Sequence, residues 1–231
     1  MSFFIYKMTA ITITTFGDLL TDLAEKVGET TQNTSDDRKR KINNAYFFIS
    51  NKRAWWWREA SDTATTTTAL SYTLPSNFGY FHPRNPVKID TSWRTLVPFD
   101  DLQLHDGTDL VVAPPFLRSQ KFAYLYGTSI YFIQESMAAS QTITYYYYKR
   151  VTPLDVVGDE PIIPLEFREM ISLYAAGMHL VAQGGPDAIE GERYLELFDT
   201  YMKDMEADDD NRREMGIKRR ALDPEEASVY R

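Results

Sequence analysis

The spacing of apolar residues changes period twice along this chain, and that switch restricts its fold more than any single motif. Phe16, Leu19, Leu20, Leu23 and Val27 recur at helical spacing, and Gly28 supplies a C-terminal stop. After the polar loop ETTQNTS, Ser35 is placed as an N-cap, with Asp36 and Asp37 in the favourable first turn. Ile42, Ala45, Tyr46 and Ile49 then form a second stripe. A third helix carries Phe167, Met170, Ile171, Tyr174, Gly177, Met178 and Val181, with Pro164 at its start and Gly184-Gly185 at its end. Pro186 and Asp187 open a fourth, whose stripe is Tyr194, Leu195, Phe198, Tyr201, Met202 and Met205. The short GGP turn makes the last two an antiparallel pair.

From about Ser61 to Val151 the pattern is that of strands: Thr, Tyr, Val and Ile punctuated by Pro and Gly. TTALSYTLP reads as one strand, and VKIDTSWRTLVPF as two around a turn at Asp90–Ser92. FAYLYGTSIYFI is a hairpin turning at Gly127-Thr128. In QTITYYYYKRV, Ile143, Tyr145 and Tyr147 alternate with Thr144, Tyr146 and Tyr148. The expected fold is therefore α+β: a helical bundle built from N- and C-terminal helices, with an inserted antiparallel β-domain and an extended C-terminal arm. The boundaries fall at residues 1–60 for the N-terminal helices, 61–151 for the β-domain, 152–207 for the C-terminal helices and 208–231 for the arm. The expected bundle core is Phe16, Leu19, Leu20, Leu23, Ile42, Tyr46, Ile49, Phe167, Met170, Ile171, Tyr174, Met178, Phe198 and Met202.

At the first change of period stand Trp55, Trp56 and Trp57, three of the chain's 4 tryptophans. No regular element hides all three. On a helix they fan over roughly 200° of the circumference, and on a strand the middle one faces away from its neighbours. They must therefore touch more than one core, or a core and a partner, and are read as a structural joint. Trp56 is expected to face away from Trp55 and Trp57.

The chemistry the chain lacks is also informative. With 0 cysteines, disulfides, thiolate zinc sites and cysteine nucleophiles are excluded. The net charge of -8 opposes a sequence-independent grip on nucleic acid. No apolar run approaches the ~18 residues of a membrane span; the opening MSFFIYK is too short for a signal peptide, and Met8 is an alternative start. His82, His105 and His179 are scattered, and His179 reads as a hydrogen-bonded structural histidine. No HExxH, Walker, GxGxxG or GxSxG motif occurs. The acidic pairs Asp100-Asp101 and Asp159-Glu160 read as turn and capping groups rather than a glycosidase couple. The run Ala207–Asn211 lacks the features of a calcium loop and reads as solvated charge. Arg38–Lys41 points in all directions and reads as a solvated face; Tyr145–Tyr148 reads as an ordinary sheet strand, one face buried and one wet. No catalytic residue, cofactor or metal is expected, and the chain is read as a non-enzyme.

The last segment, ADDDNRREMGIKRRALDPEEASVYR, is charge-dense and cannot build a core, so it is expected to be extended when alone. Its isolated anchors suit an arm that becomes ordered on a partner.

Several stretches together carry a resemblance. INNAYFFISNKRAWWW is followed by YTLPSNF, then AYLYGTSIYF, then YYYYKRVTPLDVVGDEPIIPLEFREMISLYAAGMHLVAQGG. Over Thr15 to Met205 the chain resembles the head-to-tail connector (adaptor) proteins of tailed bacteriophages, which include the tubular tail protein A group. The resemblance implies a virion structural protein, assembled in the host cytoplasm, with about twelve copies in a ring between the portal protein and the tail or nozzle protein. Double-stranded DNA would meet it only in transit through the lumen, and no membrane is involved. It also implies that, of the three tryptophans, one plugs the bundle, one the base of the β-domain and one the neighbouring subunit, and that the arm, Asp208–Arg231, grips the portal. The candidate contacts are Met215, Ile217, Lys218, Arg219, Arg220, Leu222, Val229, Tyr230 and Arg231. Two alternatives stay open: another tail-completion or nozzle protein, and a carbohydrate-binding or carbohydrate-active module.

Overall fold

The computed structural model describes residues 13–28, 36–67, 69–83, 86–98, 102–105, 109–112, 122–133 and 138–221. It is a mixed α+β chain that divides into two compact units. One takes the described residues up to Trp57 and from Thr152 onward; the other is Arg58–Val151.

The first unit is helical. α1 (Phe16–Lys26) opens with a capping box, in which Thr15 accepts from the Asp18 N–H and Asp18 accepts from the Thr15 N–H. Hydroxyl and backbone donors from Thr14 and Thr15 hold the Asp18 carboxyl down to about 2, so the cap stays charged. α2 spans Asp36–Asn51, α3 Glu169–Gln183 and α4 Gly185–Ala221. Ser35 lies outside the described residues. Pro164 starts a 3₁₀ turn, Leu165–Phe167, that leads into α3.

α3 packs against α1, α2 and α4. Enclosure on three sides widens its buried face to Met170, Ile171, Ser172, Leu173, Ala175, Ala176, Gly177 and Leu180. Two positions of the expected stripe depart from it, because the flanking helices leave the end of α3 open: Met178 is 50% and Val181 38% exposed. Met178 is therefore not a core residue. Phe16, Leu19, Leu20, Leu23, Ile42, Tyr46, Ile49, Phe167, Met170, Ile171, Phe198 and Met202 are buried, and Tyr174 is half-buried, stacked on Phe48.

α3 and α4 meet glycine to glycine. A Cβ on Gly191 would lie 2.7 Å from the Val181 backbone nitrogen and 2.9 Å from the Gly177 carbonyl oxygen. Backbone atoms cannot swing aside, so the helices would have to part. Alanine ordinarily gains about 1 kcal/mol over glycine inside a helix; overpacking costs about 1–3 kcal/mol. Gly191→Ala is accordingly expected to lower Tm in a circular-dichroism melt, and a raised Tm would show that the seam has room.

α4 is longer than the sequence reading allows. The arm expected from Asp208 onward is helical as far as Ala221, not extended. Two physical reasons account for this. The segment is rich in good helix formers, and Asp208–Arg212 and Asp209–Arg213 form i,i+4 ion pairs of 2.7 and 3.0 Å. The inward-facing stripe also continues: Gly191, Leu195, Phe198, Met202, Met205 and Asp209 follow alternating steps of four and three.

The second unit is a sheet. Its strands are β1 (Glu59–Thr65), β2 (Ser71–Thr73), β3 (Phe78–Phe81), β4 (Val87–Ile89), β5 (Ser92–Leu96), β6 (Leu102–His105), β7 (Asp109–Val112), β8 (Phe122–Tyr126), β9 (Ser129–Ile133) and β10 (Thr142–Lys149). The main sheet runs β1-β10-β4-β5-β8-β9-β2, with β3 also on β10, while β6 and β7 pair separately. The expected all-antiparallel arrangement needs one correction: β5 and β8 are parallel, with Thr95 opposite Phe122 and Leu96 opposite Ala123. A tight turn cannot join parallel neighbours; here the long connection holding the β6–β7 pair brings the chain back in the same direction.

One face of the sheet buries Val87, Ile89, Ala123, Ile130, Phe132, Ile143, Tyr145 and Tyr147. The tyrosine run does not split evenly into wet and dry. Tyr148, on the other face, is also buried, because Tyr80 and His82 stack on its ring.

Candidate functional site

Where α2 ends, its last carbonyls lose their helical partners. The Trp55 indole N–H takes one of them, donating to the Ile49 carbonyl at 2.8 Å. Trp55 is fully buried, and its ring stacks on Trp57 at 6.1 Å with 11° between planes. Trp56 starts a 3₁₀ turn, Trp56–Arg58. It stays out of that stack: its ring lies beneath the Arg212 guanidinium of α4, 3.9 Å from the centroid. Trp56 thus has a partner within its own chain, because α4 runs on far enough to supply Arg212.

The same stretch of α4 delivers carboxylates to the joint. Asp209 has 0% exposure. One of its oxygens accepts the Trp56 backbone N–H at 3.0 Å. The other faces Arg213 at 3.0 Å and Arg53 at 3.2 Å. Arg53 also reaches Asp210 at 2.6 Å, Lys52 reaches Glu206 at 3.6 Å, and Arg213 donates to the Ala54 carbonyl. The acidic run read as solvated charge is therefore a fastening. Spacing could have revealed it, since Asp209 continues the series of Met202 and Met205 at the next helical step.

A second polar cluster ties α1 to α3 and α4. Asp22 is buried, accepts from the Ser172 hydroxyl and pairs with Lys26 at 2.5 Å. Lys26 also approaches Glu169, which accepts from the Tyr201 hydroxyl at 3.2 Å.

The remaining sequence candidates fall into structural roles. Of the basic run, Arg38 is buried, Lys39 donates to the Asp155 carbonyl at 3.3 Å, and Arg40 and Lys41 both pair with Asp37 at 2.6 Å. His179 lies 3.0 Å from the Lys41 ammonium and 3.1 Å from the Gln183 amide. Asp159 accepts the Asp155 and Val156 N–H groups, which hold its carboxyl below the usual range, opposite to what a general acid needs. Burial pushes the Tyr145 hydroxyl well above the usual tyrosine range. Asp100, Asp101 and the His105 side chain lie outside the described residues.

Of the arm positions, Met215 is 56% exposed on α4, and Ile217, Lys218, Arg219 and Arg220 lie in its last turns. Leu222, Val229, Tyr230 and Arg231 lie outside the described residues. Among the described residues no group of three potential metal ligands occurs, and no helix is long and apolar enough to cross a membrane.

Comparison with curated proteins gave no match. The family model described as "SU10 adaptor protein" matches residues 14–221, which takes in the helices and strands of the described residues.

Proposed function

The chain belongs to the SU10 adaptor protein family, and from that premise we propose that it is a non-enzymatic head-to-tail adaptor of a tailed phage. In this reading about twelve copies form a ring between portal and tail or nozzle, and the ring leaves a channel for genome exit. Each subunit is a helical bundle with an inserted sheet domain. The observation that carries the reading is the family match over residues 14–221. The net charge of -8 supports it, since an acidic wall repels passing DNA instead of holding it.

The portal contact is assigned to the last residues of the chain. The test compares the full chain with one ending at Ala221, which keeps the Asp209 fastening intact. Both are purified from cells producing the particle, and what accompanies them is imaged by electron microscopy. A rotationally symmetric partner holding the full chain and losing the shortened one is the expected result. Recovery by both would move the contact to the helices or the sheet. Absence of any large symmetric partner would defeat the adaptor reading.

A further inference from the structure

The outer face of the sheet carries a feature that the proposed ring role leaves unused. Lys88 on β4 stands directly opposite Trp93 on β5. Its ammonium lies 5.8 Å from the Trp93 ring centroid and 5.7 Å from that of Tyr146 on β10, and the two rings are 5.6 Å apart. Trp93 is 43% exposed. Two π-faces hold the Lys88 cation, and among the described residues it has no carboxylate partner. Trp93 is thus a large aromatic side chain of this face open to solvent, and tryptophan is enriched at the centres of interfaces.

One ammonium on a chain of charge -8 is too little for a polynucleotide backbone. It suits a carboxylate-bearing protein surface, and this chain has one. Glu192, Glu196 and Asp199 follow one another along α4 at steps of four and three, all exposed and none in an ion pair among the described residues. They share one stripe of the helix. A ring requires two different, complementary surfaces on every subunit.

We propose that the Lys88–Trp93–Tyr146 face of one copy receives the Glu192–Glu196–Asp199 stripe of α4 from a second copy. This rests on the ring reading and names its lateral contact.

The test is made on the full chain in assembled particles, with Trp93 replaced by photoreactive benzoylphenylalanine. Irradiation is expected to yield an adduct of two copies, with the crosslinked peptide mapping within 190–204 of the second. An adduct elsewhere on the chain, an adduct with another protein, or no adduct, in particles whose ring is visible by microscopy, overturns this contact and leaves the ring reading standing. Particles without a ring of this chain overturn both. As an independent check, Lys88→Glu is expected to weaken self-association by about tenfold, and Lys88→Gln, which gives up the same ring contacts without reversing the charge, by clearly less. Adding Glu196→Lys and Asp199→Lys to Lys88→Glu is expected to restore most of it, and failure of that rescue counts against the pairing.

Discussion

Asp209→Ala is expected to lower the stability of the helical unit by about 3–5 kcal/mol, the cost of removing one partner from a buried ion cluster. Its carboxylate touches three groups, the Trp56 N–H, Arg53 and Arg213, at 3.0, 3.2 and 3.0 Å. Truncation leaves the Trp56 backbone donor without its acceptor and two guanidinium groups facing each other across the gap. Asp209→Asn keeps the shape and can still accept from Trp56, but it removes the charge; the expected loss is smaller, about 1–3 kcal/mol. Asp210→Ala removes only a largely exposed partner of Arg53 and is expected to cost under about 1 kcal/mol. Urea unfolding of the three variants, followed by tryptophan fluorescence, checks this order, with Asp209→Ala the most damaging and Asp210→Ala the mildest. Equal small effects would mean that α4 beyond Met205 contributes nothing to the joint.

That order also shows where the sequence stops being readable. The helices are legible because their apolar stripes carry the 3.6-residue period, and the β8–β9 and β4–β5 turns because Gly127-Thr128 and the Asp90–Ser92 stretch announce them, Ser92 itself already belonging to β5. The strand direction at β5 and β8 was not legible, since parallel pairing depends on where a long connection travels and leaves no local mark. The end of α4 was misread for a different reason. Hydrophobic periodicity registers Met202 and Met205 but not Asp209, although burial treats them as one series. A carboxylate occupies that position because Arg53 and Arg213 answer it, and the Arg53 pairing joins residues far apart in the chain. Likewise Met178 has the spacing of a core residue, yet the neighbouring helices leave that part of α3 uncovered.

Trp55→Ala is the other change with a large expected effect, about 3–5 kcal/mol, as for buried aromatics truncated to alanine. Three losses coincide at this position. The ring is completely enclosed, so its removal opens a cavity. Trp57 loses the ring stacked on it at 6.1 Å. The Ile49 carbonyl loses its 2.8 Å donor at the α2 terminus, where helical partners have run out. Trp55→Phe separates these contributions: it keeps most of the apolar surface and part of the stack but cannot donate, so about 1–3 kcal/mol is expected. Trp56→Ala is expected to cost about 1–2 kcal/mol, because its ring is only partly buried and its main partner is the Arg212 guanidinium. Thermal and urea melts by circular dichroism give the three values. If Trp56→Ala proves the most damaging, the weight of the joint rests on the α4 contact; if Trp55→Ala does, it rests on the closure of α2, which the burial of its ring and the Ile49 hydrogen bond support.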